Sequence, residues 1–206
     1  MADKIAIFGG SFNPIHSGHI EVANFAIKEC NLKKVIFLPN AVPPHKTSAS
    51  LVSAEHRYNM VKLAIMGNSF FEVSDYEMKK TEPSYTVDIM RYMRSIYSAQ
   101  LYFIVGADSL YTLHLWKSYR ELIRECNFIV ADRNSSYGSD ILMAVKNVEA
   151  LGGRVELLSM SKYDVTSTFI RQSLLCGKDV SAFLPPKVNH YIRENNLYKS
   201  NPEDKR

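Results

Sequence analysis

The sequence predicts an α/β protein with a Rossmann-like, doubly wound parallel sheet and a helical C-terminal region. Short runs of β-branched and aromatic residues alternate with stretches whose apolar residues recur at helical spacing. This alternation is typical of parallel sheets, because each strand needs a crossover to return to the same edge. Three polar motifs follow predicted strands, and open parallel sheets bind their ligands at the carboxyl ends of strands.

The elements follow from local patterns along the chain, and the run LYFIVG is the clearest buried strand. The motif PSYT precedes the third helix, and Thr86 is the expected N-cap. We predict strands at residues 5–8, 35–38, 70–73, 101–106, 128–131 and 155–158, and helices at residues 20–30, 54–66, 89–96 and 141–151. The C-terminal part is expected to be wholly helical from Ser167 onward.

The 206 residues fit a single domain, with no internal repeat, linker or low-complexity segment. We expect residues 1–206 to form one single domain, residues 165–199 to be its helical part, and residues 200–206 to be a disordered tail. The polar, proline-rich stretch at residues 39–50 is too long for a simple connection, which indicates a functional loop.

The charge, the apolar stretches and the cysteines of the chain limit its expected ligands and its expected compartment. A net charge of +4, spread evenly, is too mild to favour nucleic acid or membranes but suits small anionic substrates. No stretch approaches the roughly 18 apolar residues of a membrane span, and no signal peptide is expected at the N-terminus. Three widely spaced cysteines indicate a reducing compartment, so we expect a cytoplasmic protein.

The first motif, FGGSFNPIHSGH at residues 8–19, follows the first predicted strand. Its glycine pair allows a sharp turn and a close approach of the backbone to a ligand. Gly18 opens a helix whose unpaired N–H groups attract phosphate, and His16 and His19 flank that helix start. The motif is neither a P-loop nor a G-x-G-x-x-G fingerprint. We therefore predict a phosphate site that uses histidines; local packing of the two rings is the alternative.

Two further motifs follow later strands. In VTSTFIR, residues 165–171, Ser167 and Thr168 offer hydroxyl and N–H groups at a helix start. Arg171 lies four residues after Ser167 and so returns to the same face, although a surface salt bridge is the alternative for it. GADSL, residues 106–110, follows the LYFIVG strand and supplies a carboxylate.

The pattern G-x-F-x-P-x-H-x-G-H resembles the signature of the nucleotidylyltransferase superfamily, and VTSTFIR resembles its second hallmark, I-S-S-T-x-I-R. Within that superfamily the chain resembles the bacterial nicotinate mononucleotide adenylyltransferase family over nearly its whole length. The residues that carry this narrower resemblance are PPHK, Glu55 with Arg57, PSYTVD, GADSL, Trp116 and the ending LPPKVNHYIRENNLY. Asn13 stands where family members often have Asp, and ADRN replaces the common A-x-R-P.

The resemblance implies transfer of AMP from ATP to nicotinate mononucleotide, which gives nicotinate adenine dinucleotide and pyrophosphate in NAD biosynthesis. The attacking phosphate is already ionised at pH 7, so the reaction needs positioning and charge neutralisation rather than a general base. His16, His19, Lys46 and Arg171 are the residues implied in catalysis.

The remaining site residues follow from the same motifs. Trp116 can stack on the pyridine ring, although a core tryptophan is the alternative, and Asp108 can accept from ribose hydroxyls or cap a helix. Residues implied to bind ATP are Gly9, Gly10, Ser11, Phe12, His16, His19, Gly106, Asp108, Ser167, Thr168 and Arg171. Residues implied to bind the mononucleotide are Asn13, Lys46, Tyr85, Thr86, Ala107, Asp108, Trp116 and Arg133.

Mg²⁺ is expected with ATP, held mainly by phosphates and without a protein ligand cluster. The expected partners are ATP and nicotinate mononucleotide, with no nucleic acid and no membrane, and a homo-oligomer is possible. The alternatives are an adenylyltransferase of the same fold that uses phosphopantetheine or nicotinamide mononucleotide, a synthetase-like fragment suggested by SMSKY at residues 159–163, and a nucleotide-binding regulator without catalysis.

Overall fold

Six parallel strands form one sheet. The structure is a computed structural model that describes residues 2–41, 51–80, 84–132, 139–160 and 165–199. The strands are β1 (Lys4–Gly10), β2 (Lys34–Pro39), β3 (Phe71–Val73), β4 (Gln100–Gly106), β5 (Asn127–Asp132) and β6 (Val155–Ser159). Their order is β3-β2-β1-β4-β5-β6, and every neighbouring pair is parallel. The predicted doubly wound fold is confirmed.

Eight α-helices connect and follow the strands within the described residues. They are α1 (Ser17–Cys30), α2 (Ala54–Ile65), α3 (Thr86–Ile96), α4 (Ala107–Tyr111), α5 (Tyr119–Glu125), α6 (Ser139–Ala150), α7 (Ser167–Leu175) and α8 (Pro186–Glu194). Short 3₁₀ turns occupy Leu113–Leu115 and Ser181–Phe183.

The strand period of two divides the core into two layers. In β1, Ala6 and Phe8 pack on one face of the sheet, while Ile5 and Ile7 pack on the other. The first face is covered by apolar residues of α1, α2, α7 and α8. The second is covered by apolar residues of α3, α4, α5 and α6. Strands that are buried on both faces explain the continuous apolar runs that predicted them.

Two expectations about the helices are wrong in detail, and two short helices are missing from the prediction. Tyr85, with an extended backbone, is the N-cap of α3, and Thr86 is its first helical residue. The C-terminal region is not wholly helical, because Gly177 adopts the left-handed φ of 68° just after α7 and Pro185 precedes α8. The missing helices α4 and α5 have only five and seven residues, which is too short for a clear helical periodicity.

In the part of the chain that the structure describes, no helix combines the length and apolar character needed to cross a membrane. Residues 200–206, expected to be a disordered tail, lie outside the described residues.

Candidate active site

The predicted motifs converge where the strand order reverses. The chain winds outward from β1 through β2 to β3, and then from β4 through β5 to β6 in the other direction. β1 and β4 are neighbours, so the crevice between their carboxyl ends lies at this switch point. The first motif leaves the end of β1, and GADSL leaves the end of β4. This is the position at which doubly wound sheets bind ligands.

The two histidines of the first motif lie together at the start of α1. His16 is the N-cap and is buried, and His19 lies in the first turn. Their ring centroids are 3.7 Å apart, with an angle of 37° between the planes. The backbone N–H of His16 donates to Nδ1 of His19 over 3.2 Å. Because Nδ1 accepts, the proton of the neutral ring is on Nε2, which makes Nε2 a hydrogen-bond donor.

A strained turn sets the position of these histidines. Phe12 has a left-handed backbone with φ of 44°, a conformation that a residue with a side chain adopts only at a cost. The buried Phe12 ring packs against the rings of Phe8 and His19, at centroid distances of 5.6 and 5.2 Å. These ring contacts hold the strained backbone of the turn in place, and such strain is typical of functional sites.

The second superfamily motif holds the same turn from the other side. The hydroxyl of Ser167 donates to the carbonyl of Pro14 over 2.9 Å. The guanidinium of Arg171 donates to the carbonyl of Asn13 over 2.8 Å and to the hydroxyl of Thr168 over 3.2 Å. Ser167 and Arg171 therefore share one face of α7, as the spacing predicts. Arginine carries five N–H donors, and these two bonds leave capacity for an anion.

The carboxamide of Asn13 is part of this network. Asn13 is 3% exposed, and its Oδ1 accepts from the hydroxyl of Tyr198 over 2.7 Å and from the backbone N–H of Val52 over 3.3 Å. Its side chain thus connects the turn to the C-terminal region and to the residues before α2. Direct contact of Asn13 with a substrate stays a prediction.

A buried arginine, Arg57, hydrogen-bonds to the turn between β1 and α1. Arg57 on α2 is fully buried, and its Nη1 donates to the carbonyl oxygen of Ser11 over 2.9 Å. Its other bonds go to the carbonyl oxygens of Val52, Asn40 and Ala41, at 3.1, 2.5 and 2.9 Å. Burial lowers the pKa of the guanidinium. The four carbonyl groups compensate for that burial and connect three chain segments at the edge of the site.

A cavity of about 650 Å³ opens between the ends of β1 and β4 and the start of α3. Its volume is within the range of small-molecule sites. Among the predicted site residues, the cavity is lined by Gly9, Gly10, Ser11, Tyr85, Thr86, Gly106 and Trp116. The other predicted residues that the structure describes are not on its wall: Phe12, Asn13, His16, His19, Ala107, Asp108, Ser167, Thr168 and Arg171.

Two glycines on the wall have different reasons to lack a side chain. A Cβ on Gly9 would lie 2.9 Å from the ring of Phe103, which also lines the cavity, so any side chain would displace that ring. A Cβ on Gly106 would meet nothing within 4 Å and would point into open space. Gly9 thus permits close packing of β1 on β4, and Gly106 leaves space at the mouth of the cavity.

The cavity wall combines an apolar aromatic part with two charges of opposite sign. The Trp116 indole packs edge-on against Phe103, with centroids 6.2 Å apart. The ammonium group of Lys117 lies 3.9 Å from the centre of the Tyr85 ring. Glu77 is 4% exposed, and burial raises the pKa of its carboxyl to about 7 despite a hydrogen bond from the backbone of Ala41. The arrangement suits a planar aromatic ligand that carries polar groups.

Four residues of the site are absent from the sequence-based prediction as functional residues: Arg57, Glu77, Lys117 and Tyr198. None belongs to a spacing pattern with a chemical meaning of its own, and Arg57 and Tyr198 entered only through the family resemblance. Lys46 and Arg133, which were predicted to bind substrate, lie outside the described residues, as does most of SMSKY.

Within the described ranges, no three His, Cys, Asp or Glu side chains converge in a way that could hold a metal ion. The three cysteines, two of them buried, are free thiols.

Comparison with known proteins agrees with the geometry. A family model described as cytidylyltransferase-like matches residues 7–173. A probable nicotinate-nucleotide adenylyltransferase of Pelobacter propionicus is 37% identical over 97% of this chain and 100% of that protein. One of the same name from Clostridium botulinum is 40% identical over 94% of this chain and 98% of its own.

Solved structures agree on the fold. Plasmodium falciparum nicotinic acid mononucleotide adenylyltransferase complexed with NaAD superposes with a TM-score of 0.79 at 22% identity, covering 95% of this chain and 97% of that one. The same enzyme complexed with APC gives a TM-score of 0.76 at 21% identity, with the same coverage. The family resemblance drawn from the motifs is confirmed. The chain therefore belongs to the cytidylyltransferase-like superfamily and, within it, to the nicotinate-nucleotide adenylyltransferases, a family of nucleotidyltransferase enzymes.

Proposed function

We propose that this protein transfers AMP from ATP to nicotinate mononucleotide, releasing pyrophosphate and forming nicotinate adenine dinucleotide. The observation that carries the proposal is the junction of the two superfamily motifs. Ser167 and Arg171 hydrogen-bond the turn that places His16 and His19 at the start of α1. This cluster adjoins a strand end whose cavity has an aromatic wall. The proposal therefore assigns phosphate donors and a ring site to one switch point.

The chemistry is an in-line displacement at the α-phosphorus of ATP. A phosphate oxygen of the mononucleotide forms the new bond to phosphorus, and the bond to the bridging oxygen of pyrophosphate breaks. The nucleophile is an anion at neutral pH, so no side chain has to remove a proton. His19 has the donor tautomer for this task, since its Nε2–H can bind a phosphoryl oxygen while Nδ1 is held by the His16 backbone. Donors that stabilise developing charge are usually the largest contribution in such reactions.

Arg171, Ser167 and Thr168 are assigned to the β- and γ-phosphates in this proposal. Their bonds to the Asn13–Pro14 backbone position the start of α7 against the start of α1. Lys46 and Arg133 remain predicted contacts to the phosphates and to the mononucleotide. Asp108, exposed on the first turn of α4, remains the predicted acceptor for ribose hydroxyls.

The cavity is assigned to the nicotinate end. Trp116 is half-buried and lines the cavity, so its indole can stack on a pyridine ring. Tyr85 and Thr86 lie at the start of α3, where backbone N–H groups have no partner within the helix and can bind a carboxylate. Ala107 is the predicted additional backbone contact at the end of β4.

Mg²⁺ enters this proposal as part of the nucleotide complex. Mg²⁺ prefers phosphate oxygens and water, so the triphosphate itself would hold the ion. The ion would neutralise charge on the triphosphate. The free thiols favour a reducing compartment, so we place the reaction in the cytoplasm, with ATP and nicotinate mononucleotide as partners and no nucleic acid.

Pyrophosphate release tests the proposal. The purified protein is incubated with ATP and Mg²⁺ and with nicotinate mononucleotide, nicotinamide mononucleotide, phosphopantetheine or no acceptor. We expect release with nicotinate mononucleotide at the highest kcat/KM and none with ATP alone. Release with phosphopantetheine alone would support the other adenylyltransferase. Binding of ATP without release for any acceptor would support the non-catalytic regulator.

A further inference from the structure

We propose that the ammonium group of Lys117 is a specificity-determining group that favours a carboxylate over a carboxamide on the bound aromatic ring. This inference rests on the proposed function, which it deepens by naming a residue that distinguishes the two mononucleotides. It starts from the wall of the cavity, where Lys117 follows Trp116 directly in the chain.

An aromatic contact restrains the ammonium group of Lys117, which is an exposed residue at the edge of the cavity. Its Nζ lies 3.9 Å from the centre of the Tyr85 ring, within the range of a cation–π interaction. Tyr85 and Trp116 both line the cavity, so the cation is held beside two aromatic walls. A lysine that is already restrained loses less side-chain entropy when it binds a ligand.

The charge of Lys117 has no counterion in the described part of the chain. The acidic residues of α5 are engaged elsewhere, since Glu121 pairs with Arg91 and Glu125 with Arg94 over 3.2 Å. No carboxylate among the described residues lies within ion-pair distance of Lys117. A cation on a cavity wall without a protein partner can bind an anionic ligand group.

The apolar part of the cavity wall beside Lys117 indicates which anionic group of a ligand would bind there. Ile89, Phe103 and Val105 line the same cavity as Trp116 and make that region apolar. A pyridine ring suits this surface, and its substituent would then lie near the edge where Lys117 is held. An ammonium group attracts a carboxylate by opposite charge as well as by hydrogen bonding, whereas a neutral carboxamide offers only a hydrogen bond, so the acid gains more than the amide.

Glu77 is the other titratable side chain on the cavity wall, and it restricts where the carboxylate of the ligand can lie. It is buried where the backbone of Ala41 donates to it, and in its ionised form it would repel a carboxylate placed beside it. The carboxylate of the ligand is therefore expected at the Lys117 side of the cavity and the hydroxyl-bearing sugar at the Glu77 side. The two charges would orient the mononucleotide.

The test compares both mononucleotides in three variants. Lys117→Met removes the charge at similar volume, Lys117→Arg retains it, and Lys146→Met on the exposed face of α6 is the matched control. We expect Lys117→Met to lower kcat/KM for nicotinate mononucleotide about tenfold and to leave the value for nicotinamide mononucleotide within about twofold. Lys117→Arg should keep most of the preference, and Lys146→Met should change neither value.

Two outcomes would overturn the inference. An equal loss for both mononucleotides would show that Lys117 binds their shared phosphate or sugar, or only supports the wall. An unchanged ratio would show that the ammonium group does not meet the carboxylate. Absence of pyrophosphate release by the unaltered protein with both mononucleotides refutes the proposed function itself, a result distinct from either of these.

Discussion

The hydroxyl of Tyr198 donates a 2.7 Å hydrogen bond to Oδ1 of Asn13, although 185 residues separate them in the chain. Tyr198 lies beyond the last helix, and Asn13 is in the strained turn between β1 and α1. Burial raises the pKa of the Tyr198 phenol, which keeps the hydroxyl protonated and able to donate at physiological pH. Tyr198, near the end of the described chain, therefore helps to position the first motif.

The first prediction concerns this bond. Tyr198→Phe removes the hydroxyl and leaves Asn13 Oδ1 with the weaker 3.3 Å bond from Val52. We expect a loss of about 1 kcal/mol in the free energy of unfolding and a fall in kcat of about three- to tenfold, because the turn that carries the histidines loosens. Urea denaturation and steady-state kinetics measure the two effects.

Tyr191→Phe is the matched control for this prediction. The Tyr191 hydroxyl bonds His56 at 2.9 Å and Asn59 at 3.3 Å, between α2 and α8 and apart from the cavity wall. Its loss should lower stability by a similar amount and leave kcat unchanged. Equal activity losses in the two variants would show that Tyr198 acts only through general stability.

The second prediction concerns His19. His19→Ala removes the proposed Nε2–H donor while leaving the N-cap residue of α1 in place. We expect kcat to fall by about 10²–10³ and the circular dichroism spectrum to stay native, as for the loss of one charge-stabilising donor. His190→Ala, which removes only an exposed ring 3.1 Å from Glu194, should keep full activity. A folded His19 variant with normal turnover would contradict the role assigned to the residue.

The sequence is sufficient to predict the features that depend on local patterns. Strand positions follow from apolar runs, and the first motif and GADSL follow β1 and β4, so their convergence at the switch point can be inferred from topology. VTSTFIR follows β6 at the edge of the sheet, so its approach to the first motif depends on the contacts of α7 with Asn13 and Pro14. The exact ends of helices are harder to predict from the sequence. Either Tyr85 or Thr86 could be the N-cap of α3, and only the backbone geometry shows that it is Tyr85.

Burial and pairing of single residues are not predictable in this way. Nothing local distinguishes Arg57 from an ordinary exposed arginine, since its partners come from the ends of β1 and β2 and from the residue before Ser53. Lys117 and Glu77 become neighbours of the cavity only after α3 and β4 are placed in the fold. These residues depend on tertiary contacts between distant segments.

The third prediction concerns Arg57. Arg57→Met leaves the carbonyl oxygens of four half-buried residues without their shared donor, including that of Ser11 in the first motif. We expect a loss on the order of 3 kcal/mol in the free energy of unfolding. Arg193→Met, at an exposed ion pair with an N···O distance of 3.4 Å, should cost less than about 0.5 kcal/mol. Thermal and urea denaturation check both values, and equal small losses would contradict the bridging role of Arg57.

The fourth prediction concerns the pH dependence of stability through Glu77. Because burial raises its pKa from 4.5 to about 7, the folded protein binds more protons than the unfolded chain between these values. Stability should therefore fall as pH rises through this window. Glu77→Gln retains an oxygen that can accept from Ala41 and has no charge to bury. It should be more stable than the unaltered protein by roughly 3 kcal/mol at pH 8 and by under about 1 kcal/mol at pH 5.

Urea denaturation at pH 5, 6, 7 and 8 measures this difference for Glu77→Gln. The exposed Glu149 on α6 supplies the control variant Glu149→Gln, for which the stability difference should stay constant over the same range. The stability difference between Glu77→Gln and the unaltered protein should grow with pH. A constant difference would mean that the Glu77 carboxyl keeps an ordinary pKa in the folded protein.

The fate of each phosphorus of ATP tests the central claim most directly. ATP labelled at the α-phosphorus is incubated with the protein, Mg²⁺ and nicotinate mononucleotide, and a parallel reaction uses ATP labelled at the γ-phosphorus. The account predicts that the α label appears in nicotinate adenine dinucleotide and the γ label in pyrophosphate, in equal amounts. Label in inorganic phosphate or in the protein, or no transfer of the α label to the mononucleotide, would contradict it.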